Sequence, residues 1–303
     1  MIVLSFPSSR LLARKIAKRI GAKFSEIEVK YFPDMEAYVR IKENLEGKDV
    51  IIVQTLAQDP NEKIIQLLFS SLTAKNLKAR KVIALIPYLA YMRQDKMFKK
   101  YECVSAKALA KLIEASGIDA IFVLNPHLHR IKNLDEIFSI PSFNVSCEKE
   151  IADYLKKNFS KDEWILVGPD IESKPILKRI SEISGFDFIV LRKKRFGPKE
   201  VKVFGKRKMK KKNAIIIDDI ASTGVTLIKT IKLLKKFGFK KFYCIVIHLL
   251  SEDLLKEIKK YSQIVSTNSV QNKTSKIDVS KSFADAIKLY LTQKSIREID
   301  ELF

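Results

Sequence analysis

The sequence predicts an α/β protein built from two tandem doubly wound domains with mainly parallel sheets. Three observations lead to this class. Short apolar runs recur along the chain, segments with helical spacing lie between them, and the apolar runs are continuous rather than alternating. Continuous apolar runs are typical of parallel strands whose two faces are both covered, and alternation of strand with helix is typical of the α/β class.

The predicted strands are MIVLSF, DVIIVQT, KVIALIPYL, AIFVLN, WILVGPD, FDFIVL, AIIIDD and FYCIVIH. The clearest predicted helices are NEKIIQLLFSSLTAKNLKA and TLIKTIKLLKKFG, in which apolar residues recur every three or four positions. This number of strands in 303 residues favours two domains. A proline and several polar residues in FSIPSFNVSCEKE precede a predicted helix at 147–158, so we expect an N-terminal domain at 1–142 and a C-terminal domain at 143–303.

The composition indicates a globular protein that attracts polyanions. Hydrophobic residues make up 47% of the chain, and 57 Lys and Arg against 35 Asp and Glu give a net charge of +22. The first apolar run has no basic segment before it, and no run approaches the roughly 18 residues of a membrane span. Three widely spaced cysteines, Cys103, Cys147 and Cys244, are expected to be reduced thiols, which favours a cytoplasmic location.

A basic segment at 191–213 lies between two predicted strands and lacks helical periodicity. Its like charges repel one another, so we expect a hairpin or a mobile excursion rather than a packed element. A solvated loop and a flap that closes over a polyphosphate both agree with this sequence.

The segment IIIDDIASTGVTL, residues 215–227, predicts a strand, a loop and the start of a helix. Ligands of open α/β sheets bind beyond the carboxyl ends of the strands. Gly224 allows close approach of the backbone, while Ser222, Thr223 and Thr226 add hydroxyl groups to the free amides at the helix start. The loop therefore predicts a phosphate site, although a capped turn without a ligand stays open.

Two adjacent carboxylates, Asp218 and Asp219, precede that loop. Carboxylates at a strand end can accept hydrogen bonds from the vicinal hydroxyl groups of a ribose, as in dinucleotide-binding folds. Phosphate on the loop and sugar hydroxyls on the aspartates together predict a site for ribose 5-phosphate.

Two further segments carry candidate groups for a nucleotide. In YFPDMEAYVRI, residues 31–41, Phe32 can stack on a base and Asp34 and Glu36 can accept hydrogen bonds from an exocyclic amine; an exposed strand start with solvated acids is the alternative. In IPYLAYMRQDKMF, residues 86–98, Arg93 offers a fork of donors to phosphate oxygens, with Gln94 beside it. An ion pair that neutralises Arg93 with the neighbouring Asp95 stays open there.

These segments resemble the ribose-phosphate pyrophosphokinase (PRPP synthetase) family, whose signature for phosphoribosyl pyrophosphate (PRPP) is similar to DDIASTGVT. The family order is followed over nearly the whole chain by the F-x-D-x-E and R-Q-D segments, NPHLHRIKNLDEIF at 125–138, GPD at 168–170 and LRKKR at 191–195. The Asn-Pro-His sequence and Ser222 are most similar to archaeal members. The resemblance implies two phosphoribosyltransferase-like domains. It also implies transfer of the diphosphoryl group of ATP to the C1 hydroxyl of ribose 5-phosphate, which gives PRPP and AMP in nucleotide biosynthesis.

The resemblance assigns roles by position. It implies catalytic roles for Lys193 and Arg195, and Mg²⁺ held with help from His127 and Asp170, whereas His129 is expected to be a structural or surface residue. It further implies ATP contacts by Phe32, Asp34, Glu36, Arg93 and Gln94, and ribose 5-phosphate contacts by Asp218, Asp219, Ser222, Thr223, Gly224 and Thr226. The adenine site of the family lies at a subunit contact, so a homo-oligomer, at least a dimer, is implied.

Three positions depart from the family pattern. Glu172 and Tyr101 stand where glycine is usual, and Val225 replaces the second glycine of T-G-G-T. These departures leave open a catalytically weak or silent regulatory subunit. A nucleic-acid-binding protein that uses the basic segment is a further alternative, as is a plain phosphoribosyltransferase that consumes PRPP.

Overall fold

A computed structural model describes residues 1–128, 130–192, 200–204 and 213–292 of the chain. It divides into two compact units. The first comprises 1–146 together with 269–271 and 279–303, and the second comprises 147–268 and 272–278. The α/β class with mainly parallel sheets is confirmed in both units.

The N-terminal unit contains a six-stranded sheet of order β2-β1-β5-β6-β7-β8, in which all neighbours are parallel. Its strands are β1 (Ile2–Ser5), β2 (Lys23–Glu26), β5 (Asp49–Val53), β6 (Lys81–Ile86), β7 (Ala120–Leu124) and β8 (Ser142–Val145). A separate antiparallel hairpin consists of β3 (Glu28–Tyr31) and β4 (Ala37–Arg40). The helices are α1 (Arg10–Ile20), α2 (Pro60–Asn76), α3 (Ser105–Ala115) and, from the end of the chain, α8 (Ser280–Leu291).

The C-terminal unit contains a seven-stranded sheet of order β11-β10-β9-β12-β13-β14-β15. Its strands are β9 (Trp164–Gly168), β10 (Phe188–Arg192), β11 (Glu200–Phe204), β12 (Asn213–Ala221), β13 (Lys241–Leu249), β14 (Gln263–Thr267) and β15 (Ser275–Ile277). Only β11 runs antiparallel to its neighbour β10; the other pairs are parallel. The helices are α4 (Glu148–Asn158), α5 (Lys174–Ser184), α6 (Val225–Lys236) and α7 (Leu254–Ile258).

Burial explains why the apolar runs became strands. Every residue of β5 and of β7 is buried, as continuous apolar runs require when both faces of a sheet are covered. In the C-terminal unit, Ile165 and Val167 of β9 join Leu227 and Ile231 of α6 in one apolar core. Each predicted strand is found.

The first unit continues to residue 146, beyond the boundary predicted between residues 142 and 143. The segment at 138–150 contains β8, which pairs with β7 and so extends the N-terminal sheet. Helix α8 packs against α1, and Arg19 Nε donates to Ser280 Oγ at 2.9 Å, so the last helix belongs to the N-terminal unit. The predicted helix at 147–158 begins at Glu148.

Of the helices in the described ranges, none has the length and apolar character needed to cross a membrane.

Candidate functional site

The aspartate pair lies near the carboxyl end of β12 in the C-terminal unit. The sequence predicts a strand that ends at the pair, but β12 continues to Ala221 and pairs with β13 as far as Leu249. Asp218 and Asp219 are therefore strand residues, and both are partly buried. The loop beyond them is shorter than predicted, because Val225 already begins α6.

Burial and neighbouring charges both act on Asp218 at this strand end. Burial raises the pKa of Asp218 well above its usual range, and the charges of Asp219 and Asp170 raise this pKa further. A hydrogen bond from the backbone amide of Asp219 acts in the opposite direction. Two carboxylates of β12 and one that follows the adjacent parallel strand β9 thus lie at one corner of the sheet, which suits a site for hydroxyl groups and a cation.

Asp170 follows β9 and caps the helical turn at Ile171–Ser173. Its Oδ1 accepts hydrogen bonds from the amides of Glu172 at 3.1 Å and Ser173 at 3.3 Å, and from Ser173 Oγ at 3.2 Å. Just before it, Gly168 leaves no room for a side chain, because an added Cβ would lie 2.7 Å from Leu177 Cδ1. The Gly-Pro-Asp turn is therefore packed tightly against α5, and Asp170 is held in place by the turn that it caps.

The predicted phosphate loop leads into the N-terminus of α6. Gly224 is the N-cap residue in a left-handed conformation (φ +71°), and an added Cβ would lie 3.2 Å from Leu254 Cβ. The first helical hydrogen bond runs from the Ile228 amide to the Gly224 carbonyl at 3.0 Å, so the preceding amides of the first turn have no acceptor within the helix. Ser222 is partly buried, whereas Thr223 and Thr226 are exposed beside these amides.

Two departures from the family pattern do not disturb the backbone. Val225 lies in the first turn of α6 and is 48% exposed, so its side chain points away from the core. Neither Val225 nor Glu172 has the positive φ that favours glycine. Glu172 is exposed, and its amide contributes to the Asp170 cap.

The F-x-D-x-E segment forms the tip of the β3–β4 hairpin in the N-terminal unit. The Phe32 amide donates to the Glu36 carbonyl at 2.9 Å, and the Glu36 amide donates to Asp34 Oδ1 at 3.2 Å. Phe32 is 52% exposed and makes an edge-to-face contact with Tyr38, with ring centroids 6.4 Å apart. The structure thus presents an aromatic face and two exposed acids on one turn.

The hairpin contacts α2 next to its tip, through Tyr31 at the end of β3. Gln66 Nε2 donates to Tyr31 Oη at 2.9 Å, and the Tyr31 hydroxyl also hydrogen-bonds Glu62. Gln66 is itself buried and accepts a hydrogen bond from Gln54 Nε2 at 3.2 Å. These polar contacts between residues far apart in the chain were not predicted from the sequence.

Arg93 and Gln94 lie in the segment that follows β6. Arg93 is exposed, and it forms no ion pair within the described ranges. The alternative pairing with Asp95 is not formed, because Arg130 holds that carboxylate through Nη1 at 3.0 Å from Oδ1 and 3.2 Å from Oδ2. Gln94 is partly buried, and its carbonyl accepts from the Ala106 amide at 3.3 Å, which joins the segment to α3.

The Gly-Glu position of the family is a tight turn in which the chain has Tyr101. Tyr101 adopts φ +72° and is 86% exposed. Glu102 Oε2 accepts hydrogen bonds from the amides of Phe98 at 3.0 Å and Lys99 at 2.9 Å. Glu102 therefore closes the turn, and the residue before it takes a left-handed conformation. Glycine adopts that conformation without strain, which explains why glycine is usual at this position in the family.

His127 follows β7 and is partly buried. Within the part of the chain that the structure describes, no cluster of three His, Cys, Asp or Glu side chains is arranged as a metal site. His129, Lys193 and Arg195 lie outside the described residues, as do 193–199 and 205–212 of the basic segment.

Comparisons with known proteins match both units. Residues 1–117 match the profile of the N-terminal domain of ribose phosphate pyrophosphokinase, and 133–281 match that of the phosphoribosyl transferase domain. Ribose-phosphate pyrophosphokinase of Methanobrevibacter smithii is 31% identical over 302 residues, which cover 95% of this chain and 100% of the relative. Ribose-phosphate pyrophosphokinase of Sulfolobus acidocaldarius is 31% identical over 297 residues, which cover 95% of this chain and 100% of the relative.

A solved structure has the same fold. The crystal structure of phosphoribosylpyrophosphate synthetase from Mycobacterium smegmatis superposes with a TM-score of 0.83 at 21% identity. The superposition covers 97% of this chain and 99% of that one.

Proposed function

Because the chain belongs to the ribose-phosphate pyrophosphokinase family, we propose that it transfers the diphosphoryl group of ATP to ribose 5-phosphate, which gives PRPP and AMP. The observation that carries this proposal is 31% identity to an archaeal relative of that name over 95% of the chain. The similarity includes the N-terminal unit, whose matching profile is that of the pyrophosphokinase. A phosphoribosyltransferase that only consumes PRPP would leave this match unexplained.

The C-terminal unit would bind ribose 5-phosphate. The amides at the start of α6, with the hydroxyls of Ser222, Thr223 and Thr226, would hold the 5-phosphate, and Gly224 lets the backbone approach it. Asp218 and Asp219 would accept hydrogen bonds from the 2- and 3-hydroxyls. The site would thereby fix the sugar while its C1 hydroxyl stays available for reaction.

The N-terminal unit would bind ATP. Phe32 would stack on adenine while Asp34 and Glu36 accept from its amine, and Arg93 and Gln94 would contact the phosphates. We place the hairpin tip of one subunit beside the ATP of its partner, so the active form would be a homodimer or a larger homo-oligomer. This placement rests on the family resemblance and on the exposure of the tip.

The chemical step is an attack by the C1 hydroxyl oxygen on the β-phosphorus of ATP. A new bond forms between the C1 oxygen and the β-phosphorus, the hydroxyl proton is released to solvent, the bond between the β-phosphorus and the α,β-bridging oxygen breaks, and AMP leaves with that oxygen. Negative charge grows on the phosphoryl oxygens, so the reaction needs cations and alignment more than a covalent nucleophile. Lys193 and Arg195 would supply positive charge.

The donor chemistry fits Mg²⁺, the metal that this family implies. Carboxylate oxygens are ligands that Mg²⁺ accepts, and a cation near Asp170 and Asp218 would offset the burial and the repulsion that together raise the pKa of Asp218. Asp170 would contact the ion on the ribose side, and His127 would contribute on the ATP side. When bound, Mg²⁺ would neutralise phosphate charge. We further place the protein in the cytoplasm, where nucleotide precursors are made.

The test is AMP formation from ATP that depends on ribose 5-phosphate. In the same assay series, Asp219→Asn should weaken binding of ribose 5-phosphate by tenfold or more, on the order of 1.4 kcal/mol, while ATP binding changes little. Equal losses for both ligands would remove the role given to Asp219. ATP that stays intact while both ligands bind would instead indicate a silent regulatory subunit.

Lys193 tests the basic segment separately. Lys193→Ala should lower kcat by roughly 100-fold while the affinity for ATP stays close to that of the wild type, because its charge acts mainly on the transition state. An unchanged kcat would leave the solvated-loop interpretation of this segment.

A further inference from the structure

An ion pair with a buried carboxylate joins two segments of the N-terminal unit that carry proposed ATP-site residues. The Asp95 side chain is only 2% exposed, whereas that of Arg130 is 50% exposed. Arg130 Nη1 lies 3.0 Å from Oδ1 and 3.2 Å from Oδ2 of Asp95. A buried carboxylate needs a cationic partner, so this contact strongly favours a single arrangement of the two segments.

The two segments follow adjacent parallel strands. Asp95 lies in the segment after β6, immediately beyond Arg93 and Gln94, and Arg130 lies in the segment after β7, shortly beyond His127. The carboxyl ends of adjacent parallel strands meet at one edge of the sheet. The ion pair therefore links the Arg93 segment to the His127 segment across that edge.

An aromatic contact orients the guanidinium group. Arg130 Cζ lies 5.1 Å from the centroid of the Phe98 ring, and Lys96 Nζ lies 5.3 Å from the same centroid. A planar guanidinium can pack on an aromatic ring while it donates to a carboxylate, which an ammonium does less well. Arg130 is thus held by Asp95 and Phe98 together.

The ion pair between Arg130 and Asp95 also determines whether Arg93 has a carboxylate partner. Asp95 is close to Arg93 in the chain, and its buried charge would attract that arginine if Arg130 were absent. With Arg130 in place, Arg93 stays exposed and forms no ion pair within the described ranges. An arginine that is not neutralised by a protein carboxylate is available to bind phosphate oxygens.

We propose that Arg130 is a positioning residue for ATP: it occupies the Asp95 carboxylate, keeps Arg93 available for the phosphates and holds the His127 segment beside it. The inference rests on the proposed function, because it takes Arg93 as an ATP ligand. ATP binding would then depend on the contact between Asp95 and Arg130, which joins the segments after β6 and β7, as well as on the residues that touch the nucleotide.

The test measures equilibrium binding of α,β-methylene-ATP with Mg²⁺, an analogue whose α–β linkage cannot be cleaved. Arg130→Gln should raise its Kd by about tenfold, because Asp95 then captures Arg93, a change of roughly 1.4 kcal/mol. The double variant Asp95→Asn with Arg130→Gln should bind more tightly than Arg130→Gln alone, because no carboxylate is left to capture Arg93. In turnover assays Arg130→Gln should raise KM for ATP and leave KM for ribose 5-phosphate unchanged.

Arg80 supplies the matched control. Its Nε donates to Asp49 Oδ1 at 2.8 Å, and the Asp49 side chain is 10% exposed, at the amino end of β5 and so at the opposite edge of the same sheet. Arg80→Gln should lower the melting temperature but leave the Kd of the analogue unchanged.

Two results would overturn the inference. One is a double variant that binds no better than Arg130→Gln; the other is a loss of affinity in Arg80→Gln that matches the loss in Arg130→Gln. Either result would mean that Arg130 acts only through general stability. A wild-type protein that does not bind the analogue at all would instead contradict the proposed function, so the two failures can be told apart.

Discussion

Asp170 acts electrostatically on Asp218 and raises its pKa, although Asp218 lies in β12 and Asp170 follows β9. They meet because β9 and β12 are adjacent and parallel, so that their carboxyl ends lie at the same edge. Burial is the largest cause of the raised pKa of Asp218, and the charge of Asp219 comes before that of Asp170. Hydroxyl donors or a cation stabilise carboxylates that lie close together. A sugar phosphate bound with Mg²⁺ supplies both, the hydroxyl groups of the sugar and the positive charge of the ion.

The first prediction concerns the stability of this corner. Because the folded-state pKa of Asp218 is raised, its carboxyl group favours folding most when it is protonated, below about pH 4, and this contribution is lost as the pH rises through the folded-state pKa. With a metal chelator present, Asp218→Asn should therefore raise the melting temperature at pH 7, and the gain should shrink towards pH 4.

Asp285, an exposed residue of α8, supplies the control for simple removal of a charge. Asp285→Asn should change the melting temperature little at either pH. A melting temperature of Asp218→Asn at or below that of the wild type at pH 7 would contradict the repulsion inferred for this corner.

The second prediction concerns Gly224. Gly224→Ala forces a side chain into a left-handed conformation and against Leu254 Cβ at 3.2 Å, so we expect a loss of roughly 1–2 kcal/mol in stability and weaker binding of ribose 5-phosphate. Gly21→Ala is the matched variant, since Gly21 has φ +67° and open space around the added Cβ. An equal loss of stability in both variants would show that the Leu254 contact is unimportant.

The third prediction concerns Val225, which stands where the family usually has glycine. Because Val225 lies in the first turn of α6 without a positive φ, Val225→Gly should lower stability by about 0.5–1 kcal/mol and bring no gain in affinity for ribose 5-phosphate. Isothermal titration with ribose 5-phosphate gives the measurement. Tighter binding by the glycine variant would mean that the valine does narrow the phosphate site.

The fourth prediction concerns the strained turn at Tyr101. Tyr101→Gly should raise the free energy of unfolding by up to about 1 kcal/mol, because it relieves the left-handed conformation at φ +72°. Tyr101→Ala keeps the Cβ and removes only the exposed ring, so it should give no such gain. Chemical denaturation of both variants separates the two effects, and equal stability of the two would argue against backbone strain.

The sequence predicted the core strands well and the exposed ones poorly. Continuous apolar runs such as β5 and β7 are visible because both faces are buried. The β3–β4 hairpin has exposed and partly buried residues along its strands, and its position depends on the contacts of Tyr31 with α2. Strand β8 was hidden in the segment expected to be a domain boundary, because its pairing with β7 is not a local property.

The same limit applies to the candidate site. The motifs identified the segments around Asp218 and Gly224, since each has a local chemical meaning. The partner of Asp95 could not be predicted, because Arg130 is 35 positions away and Arg93 was an equally plausible partner by charge. The left-handed turn at Tyr101 was concealed by a residue that rarely adopts that conformation.

The most direct test of the proposed activity is ³¹P NMR of the protein with MgATP and ribose 5-phosphate. We predict that the ATP signals decline while those of AMP and of a diphosphate attached to C1 of the sugar appear together in equal amounts. Signals of ADP with a single new phosphate on the sugar would contradict diphosphoryl transfer and would show an ordinary kinase instead.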